Sequence, residues 1–415
     1  MKILMISAIL PSPYTQNSIP TRTFNLMKNL SERHEVTVVA QHYQMAKDDH
    51  IGTLREWVQD LVIFPHHQEM GRRGIMNRAK RLGQLLKEGT PKSVLSYFSP
   101  QMQQWIDEKV AAKEFDVITC EHSINEIYVR PEWQNQVRTI VNIHGSIHGT
   151  CQKFLERPIA SKKSLREQLN LPLLKRYEQQ YCSKFSALVT TTAEDKKQIK
   201  ALQTEKPITV IPNGVDLNLF PKRTADPGGY QLLYISHQEE LAVTEEVNFL
   251  CEFVFPELKK RYPQITLTLQ GIPDYLQDWK QVSGIEIATA DSVLQTILQR
   301  STVCVLPTQA GLGMKLATLQ AMAIGVPVVG SDRALEGLNV DGAAVPLAAM
   351  RVNRLEEYIY AIGRLLQDPQ LRERLSQNSR TLIEKNHNWR NLTEQYEKVL
   401  ANGNLQATEL IPEYG

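Results

Sequence analysis

The residues with chemistry to offer are concentrated between Ser301 and Ser331, in STVCVLPTQAGLGMKLATLQAMAIGVPVVGS. Gly311-Leu312-Gly313 lets the backbone turn tightly and come close to a ligand. Met314 to Ile324 then reads as a helix rich in Ala, Leu and Met. A glycine loop feeding a helix N-terminus presents unpaired N–H groups and the positive end of a helix dipole, a natural seat for phosphate. Lys315 falls in the first turn of that helix. A cation there is mildly unfavourable for the helix itself, so it points to an anionic partner. The same local pattern also fits a plain βαβ unit with a surface lysine.

A second candidate is His144. Val137 to Ile143 (VRTIVNI) reads as a strand that ends in His144-Gly145. A histidine at the carboxyl end of a parallel strand is held rigidly at the ligand edge of the sheet. It can donate a hydrogen bond to a ligand hydroxyl, with its ring state set by neighbours. His148 lies one short loop further on and is the weaker candidate.

These residues need elements to hold them. Lys2 to Ile9 is a buried first strand, Pro11 to Thr21 a loop, Thr21 to Ser31 a helix, and His34 to Ala40 a second strand. A βαβ start of this kind predicts a doubly wound parallel sheet with ligands at its carboxyl edge. Tyr97 to Lys113 and Leu169 to Phe185 read as helices. Phe115 to Cys120 and Ala187 to Thr191 read as strands, and Thr192 as a helix N-cap. Asn213-Gly214 predicts a turn with positive φ. Pro221 to Tyr230 is polar and rich in Pro and Gly, as a linker between domains is. Gln231 to Ser236 opens a second sheet. Glu246 to Arg261 is a helix, Ile265 to Gln270 and Ile285 to Ala288 are strands, and Asp291 to Arg300 is a helix. Thr302 to Leu306 and Val326 to Val329 are buried strands around the opening stretch, with Gly325 and Pro327 stopping the helix between them. Ala343 to Val345 is a further strand, and Val352 to Asp368 and Pro369 to Lys385 are helices. Ala401 to Gly415 is a loose tail.

Size and composition bound the answer. A chain of 415 residues is long enough for two domains, each with its own core. A formal charge of +2 gives no strong global attraction to nucleic acid, and no nucleic-acid partner is expected. Five scattered cysteines without a C-x-x-C argue against a disulfide framework or zinc site and for a reducing, cytoplasmic setting. Gly71 to Lys87 (GRRGIMNRAKRLGQLLK) carries six basic residues and no acid. As an amphipathic helix it either packs on its domain or makes peripheral contact with the anionic inner face of a membrane.

GLGMKLATLQAMAIGVPVVGSDRALEGL resembles the C-terminal signature of the GT-B glycosyltransferases of the GT4-like group, the glycosyl transferases group 1. Ile211-Pro212-Asn213-Gly214-Val215-Asp216, His34-Glu35-Val36-Thr37-Val38-Val39 and His387-Asn388-Trp389 are similar to further motifs of that group. The resemblance implies an α/β chain of GT-B fold: two Rossmann-like doubly wound domains facing a central cleft. Residues 1–220 would be the acceptor domain and 221–385 the donor domain. Residues 386–415 would be a helix returning to the first domain, plus a tail. In the group the loop Gly311-Leu312-Gly313-Met314 and Lys315 would hold the donor diphosphate. Gln320, standing where the group has glutamate, would meet the ribose. Ile272 would lie by the base, and His144 would touch the donor sugar. His237 follows Ser236 where the group carries glycine and a phosphate-binding arginine, and would take that place.

The implied activity is hexosyl transfer with retention from a UDP- or GDP-linked sugar to a glycan, lipid or small molecule. No cofactor or metal is expected, and no D-x-D pair stands at a strand end. Gln320, the uncharged Thr308-Gln309-Ala310 and Ser236-His237, all altered from the group's pattern, also admit a GT-B subunit that has lost its donor site and scaffolds an active transferase. A nucleotide-sugar epimerase would need carboxylates near the sugar, for which Glu121 and Glu336 are the obvious candidates.

Overall fold

The computed structural model describes the chain apart from residues 14–17, 43–47, 67–88, 156–163, 237–239, 290–292, 310–312 and 402–415. The chain divides into two compact units. One is built on Ile19–Ile211 and taken up again at Thr393; the other is built on Pro212–Leu392.

The first unit carries seven strands: β1 (Lys2–Ser7), β2 (Glu35–His42), β3 (Asp60–Pro65), β4 (Val117–Cys120), β5 (Arg138–Ile143), β6 (Ala187–Thr190) and β7 (Ile208–Val210). They lie all parallel in the order β3-β2-β1-β4-β5-β6-β7. Parallel strands are covered on both faces, so their interiors are continuous apolar runs. In β1, Ile3 to Ile6 are all fully buried, and Ile3 lies between Val36 and Val117 in register. The helix Ser18–Ser31 buries Phe24, Leu26, Met27 and Leu30 as its spacing predicts, and starts three residues earlier than expected. Thr192 caps the helix Ala193–Lys200, accepting from the Asp195 amide.

The second unit carries β8 (Gln231–Ile235), β9 (Thr266–Gln270), β10 (Ile285–Ile287), β11 (Val303–Leu306), β12 (Val328–Gly330) and β13 (Met350–Arg351). Their order is β10-β9-β8-β11-β12-β13, again all parallel. Counted from its own first strand, each unit runs 3-2-1-4-5-6, the doubly wound order, with a seventh strand added after the sixth in the first unit. Each therefore has one point where strand order reverses, between β1 and β4 and between β8 and β11. The loops leaving the carboxyl ends of those strands are where such folds bind ligands.

Three expectations differ from the structure. Ala343 to Val345 is not a strand: it is a turn after Gly342 (φ 134°), with both alanines exposed. The outer strand is the two-residue β13 instead. The 246–261 helix begins earlier, at Glu240, and is broken by a π-helical turn at Phe249–Val254 before Phe255–Arg261. Gly214 has no positive φ. Close approach demands the glycine: a Cβ there would lie 2.7 Å from Cδ2 of Trp389 and 3.0 Å from the His387 carbonyl. This contact belongs to a clasp. Val215 N–H donates to the His387 carbonyl at 2.9 Å, His387 Nδ1 meets the Asn213 carbonyl at 2.9 Å, and Val215 bridges to Asn388.

Among the described residues no helix is long and apolar enough to cross a membrane. The basic stretch Gly71 to Lys87 and nearly all of the tail from Ala401 lie outside the described residues.

Candidate functional site

In the second unit β11 delivers Thr308, buried, to the reversal point beside β8 and its buried Ser236. Of the predicted phosphate loop, Gly311 and Leu312 lie outside the described residues, as does His237. Gly313 has φ 62°, a backbone that L side chains rarely adopt, so glycine is required at this position. Met314 is buried at 3 % exposure. Lys315 is not in the first helical turn. It is the N-cap of the helix Leu316–Ile324, with extended dihedrals of −88° and 120°. Its chain has not yet entered the helix, so its half-buried side chain leaves from ahead of the first free N–H groups. No acidic residue stands in that first turn.

Every residue of Leu316–Ile324 is buried. The helix ends on Gly325 at φ 89°, whose N–H reaches back to the Ala321 and Met322 carbonyls at 3.1 Å. Thr318 Oγ1 donates to the Ala334 carbonyl at 2.7 Å. The Ser331 hydroxyl donates to the Thr308 carbonyl and accepts from Ala334 N–H at 3.0 Å, tying the exits of β11 and β12 together. Gln320 is 7 % exposed within this packing. Ile272, after Gly271 (φ 76°) at the exit of β9, packs partly buried on the core of the unit. The described donor-side candidates thus gather on neighbouring loops and the helix at one sheet edge. Arg333 and Glu336 form an ion pair on the next turn, so Glu336 is committed to a cation.

In the first unit His144 follows β5 and is 9 % exposed. Its ring stacks on His122, which follows the neighbouring strand β4, with centroids 5.3 Å apart and planes at 25°. Nε2 lies 3.2 Å from the Glu121 carbonyl. A carbonyl only accepts, so Nε2 carries the proton and Nδ1 is left as an acceptor. Toward a ligand Nδ1 therefore accepts, where position alone predicted a donor. Desolvation first, then the His122 and Arg22 charges, hold the His144 imidazole well below its usual range. It is neutral at physiological pH.

The side chain of Glu121 turns inward. It accepts from Thr119 Oγ1 at 2.6 Å and Asn142 Nδ2 at 3.3 Å. Burial raises its carboxyl to about 7 against the opposing hydrogen bond from Thr119 and the charge of Arg22. Arg22 is itself buried and desolvated to about 10. Asn142 also donates to the Tyr396 hydroxyl at 2.7 Å. Glu121 is thus engaged in packing and does not face a ligand as an epimerase acid would.

Sequence reasoning missed Glu178. This fully buried carboxylate accepts from Ser146 Oγ at 2.6 Å, Ile147 N–H at 2.8 Å and His148 N–H at 3.3 Å. It satisfies the free N–H groups of the helix Ile147–Leu155 and fixes the turn after His144. Nothing local marks it: the pairing spans about thirty residues of chain. His148 is half-buried, with its N–H committed to Glu178.

The sequence profile of Glycosyltransferase Family 4 matches residues 19–219, and that of Glycosyl transferases group 1 matches 230–368. The chain belongs to the GT4-like glycosyltransferases. Solved structures of GT-B glycosyltransferases share its fold over nearly its whole length. Sucrose-phosphate synthase from Thermosynechococcus elongatus superposes with a TM-score of 0.66 at 15 % identity, covering 97 % of this chain and 98 % of its own. Anabaena HepE in complex with UDP-glucose gives 0.61 at 14 %, covering 97 % and 99 %. A TarM mutant from S. aureus, in complex with Fondaparinux, alpha-GlcNAc-glycerol and UDP, gives 0.62 at 12 %, covering 96 % and 99 %. No curated protein matches this glycosyltransferase in sequence.

Proposed function

We propose that this glycosyltransferase moves a hexose from a UDP- or GDP-linked donor to a glycan, lipid or small-molecule acceptor, with retention and without a metal ion. The observation that carries the reading is the entry to the helix Leu316–Ile324. There a left-handed glycine, a lysine at the cap and an acid-free first turn meet at the reversal point of a doubly wound sheet. Departure of a nucleoside diphosphate builds negative charge. Lys315 and the N–H groups at the start of that helix would stabilise it in a site that excludes water. Gln320 would hydrogen-bond the ribose without charge, and Ile272 would border the base. His144, neutral and acceptor through Nδ1, would fix a sugar hydroxyl. The complexes of HepE with UDP-glucose and of TarM with UDP and a glycan support a uridine donor and a glycan acceptor.

The test is transfer from a panel of UDP- and GDP-sugars in the presence of EDTA, with the product anomer read by NMR. Loss of transfer in chelator, or an inverted product, overturns the corresponding part of the reading. One observation favours a second reading, a scaffold subunit with no donor site. Gln320 is uncharged and buried where the group uses an acid. Calorimetric titration with UDP and GDP separates the two, since a scaffold binds neither. A cytoplasmic enzyme peripheral to the membrane through residues 71–87 would sediment with anionic vesicles and lose that binding when Arg72, Arg73, Lys80 and Arg81 are neutralised.

A further inference from the structure

The opposite, amino edge of the first sheet holds a cavity of about 170 Å³ that the transfer reaction does not use. It lies where the C-terminal half of the helix Pro100–Ala111 overhangs the starts of β1, β2 and β3. Trp105 and Lys109, four apart on one helix face, form its upper wall, with the Lys109 ammonium 5.7 Å from the indole centroid. Lys109 is paired within the same lining, with Glu114 at 2.8 Å, so the two neutralise each other there. The opposite wall is Lys2, Glu35 and Asp60. In register Lys2 stands beside Glu35 and Asp60 beside Thr37. Neither Glu35 nor Asp60 makes an ion pair with any described residue.

We infer that this cavity binds a single neutral pyranose ring, a glycan site separate from the catalytic edge. The donor and acceptor balance decides the ligand class. An anion would meet two unpaired carboxylates. A simple cation would leave the Lys2 ammonium unsatisfied and repelled. A sugar hydroxyl both donates and accepts, so carboxylates that only accept and an ammonium that only donates can each find a partner on one ring. The apolar C–H groups of a pyranose match the part of the indole that Trp105, half-buried and flanked by Lys109, presents at the wall. Among the described residues no group of three or more His, Cys, Asp or Glu side chains is placed to hold a metal ion. The inference rests on the glycosyltransferase reading only for the source of the sugar. A glycan held here and at the catalytic edge would be retained by two weak contacts rather than one.

The test is 19F NMR of the full chain labelled with 5-fluorotryptophan, with the Trp105 signal assigned from Trp105→Phe. Glucose, galactose and N-acetylglucosamine are titrated to high millimolar concentration in the absence of nucleotide. The expected result is a saturable shift of the Trp105 signal by at least one of these sugars, unaffected by UDP. That shift should be lost in Glu35→Gln/Asp60→Asn, both exposed positions. No saturable shift with any sugar overturns the inference. A shift produced by spermidine but by none of the sugars overturns it in favour of a cation site. Because no transfer is measured, failure here leaves the enzyme reading untouched, and an inactive enzyme that still shows the shift leaves this site standing.

Discussion

The imidazoles of His122 and His144 lie stacked, ring centres 5.3 Å apart, at the exits of the adjacent parallel strands β4 and β5 of the first sheet. Two rings this close resist being charged together, and desolvation already lowers both below the usual histidine range. His122 accepts from the Ile124 amide through Nδ1 at 3.0 Å, which also requires an unprotonated nitrogen there. His144 should therefore be the neutral Nε2–H tautomer at pH 6.5, where an ordinary imidazole is half protonated. Long-range 15N–1H spectra of histidine-labelled protein, with His144→Gln for assignment, read this directly. A His144 titration centred near 6.5 would show that the ring is open to water.

Lys315→Ala should lower kcat/KM at least tenfold. On the proposed reading it removes a charge-assisted contact worth about 1.5–3 kcal/mol to the leaving diphosphate. The melting temperature should hardly move, because the side chain leaves from a cap position ahead of the helix. Unchanged turnover would place the diphosphate elsewhere.

His387 gives a pH prediction with a definite sign. It is buried at 4 % exposure, and desolvation lowers it to about 4 despite its bond to the Asn213 carbonyl. The unfolded chain takes up this proton near 6.5 and the folded chain near 4, so stability falls as pH drops through that window. The contribution is on the order of 3 kcal/mol. Urea midpoints at pH 7, 5.5 and 4.5 should converge between wild type and His387→Gln as the pH falls. Parallel curves for the two proteins would mean that the histidine is protonated in the folded state.

Gly214→Ala should destabilise the protein by about 1–3 kcal/mol, since its methyl group collides with the Trp389 ring and a backbone carbonyl. Trp389→Leu in the same background should recover part of the loss, which urea denaturation of the single and double variants would reveal. Purely additive effects would mean that the clasp relaxes freely.

Much of this architecture was legible along the chain. β1 and β11 hold unbroken apolar runs, and β2 and β5 are mostly apolar without strict alternation, because parallel strands have both faces covered. The helix stops at Gly325 as its punctuation requires. The edges were harder. β13 is two residues long, too short to carry a pattern, and the apolar Ala343 to Val345 nearby drew the prediction to a turn. β3, at the other margin, is mostly half-buried and ends on Pro65, and its short run was not recognised. At the candidate site, type and spacing single out Gly313 and Lys315, though the lysine caps the helix instead of lying in its first turn. The His144 tautomer could not be read, because it is set by the carbonyl of Glu121 twenty-three residues away. Glu178 and Tyr396 were invisible for the same reason: each acts through a partner remote in sequence.

The helix Leu316–Ile324 has no residue facing water. An ordinary helix has an outer stripe on which substitutions accumulate at little cost; this one has none. Exchanging any of its nine side chains for a charged or bulkier one would strain the packing around it and shift the lysine at its head. In a deep mutational scan read by folding alone, this segment should stand out as a continuous block of intolerance, with no three-to-four-residue rhythm of permissive sites.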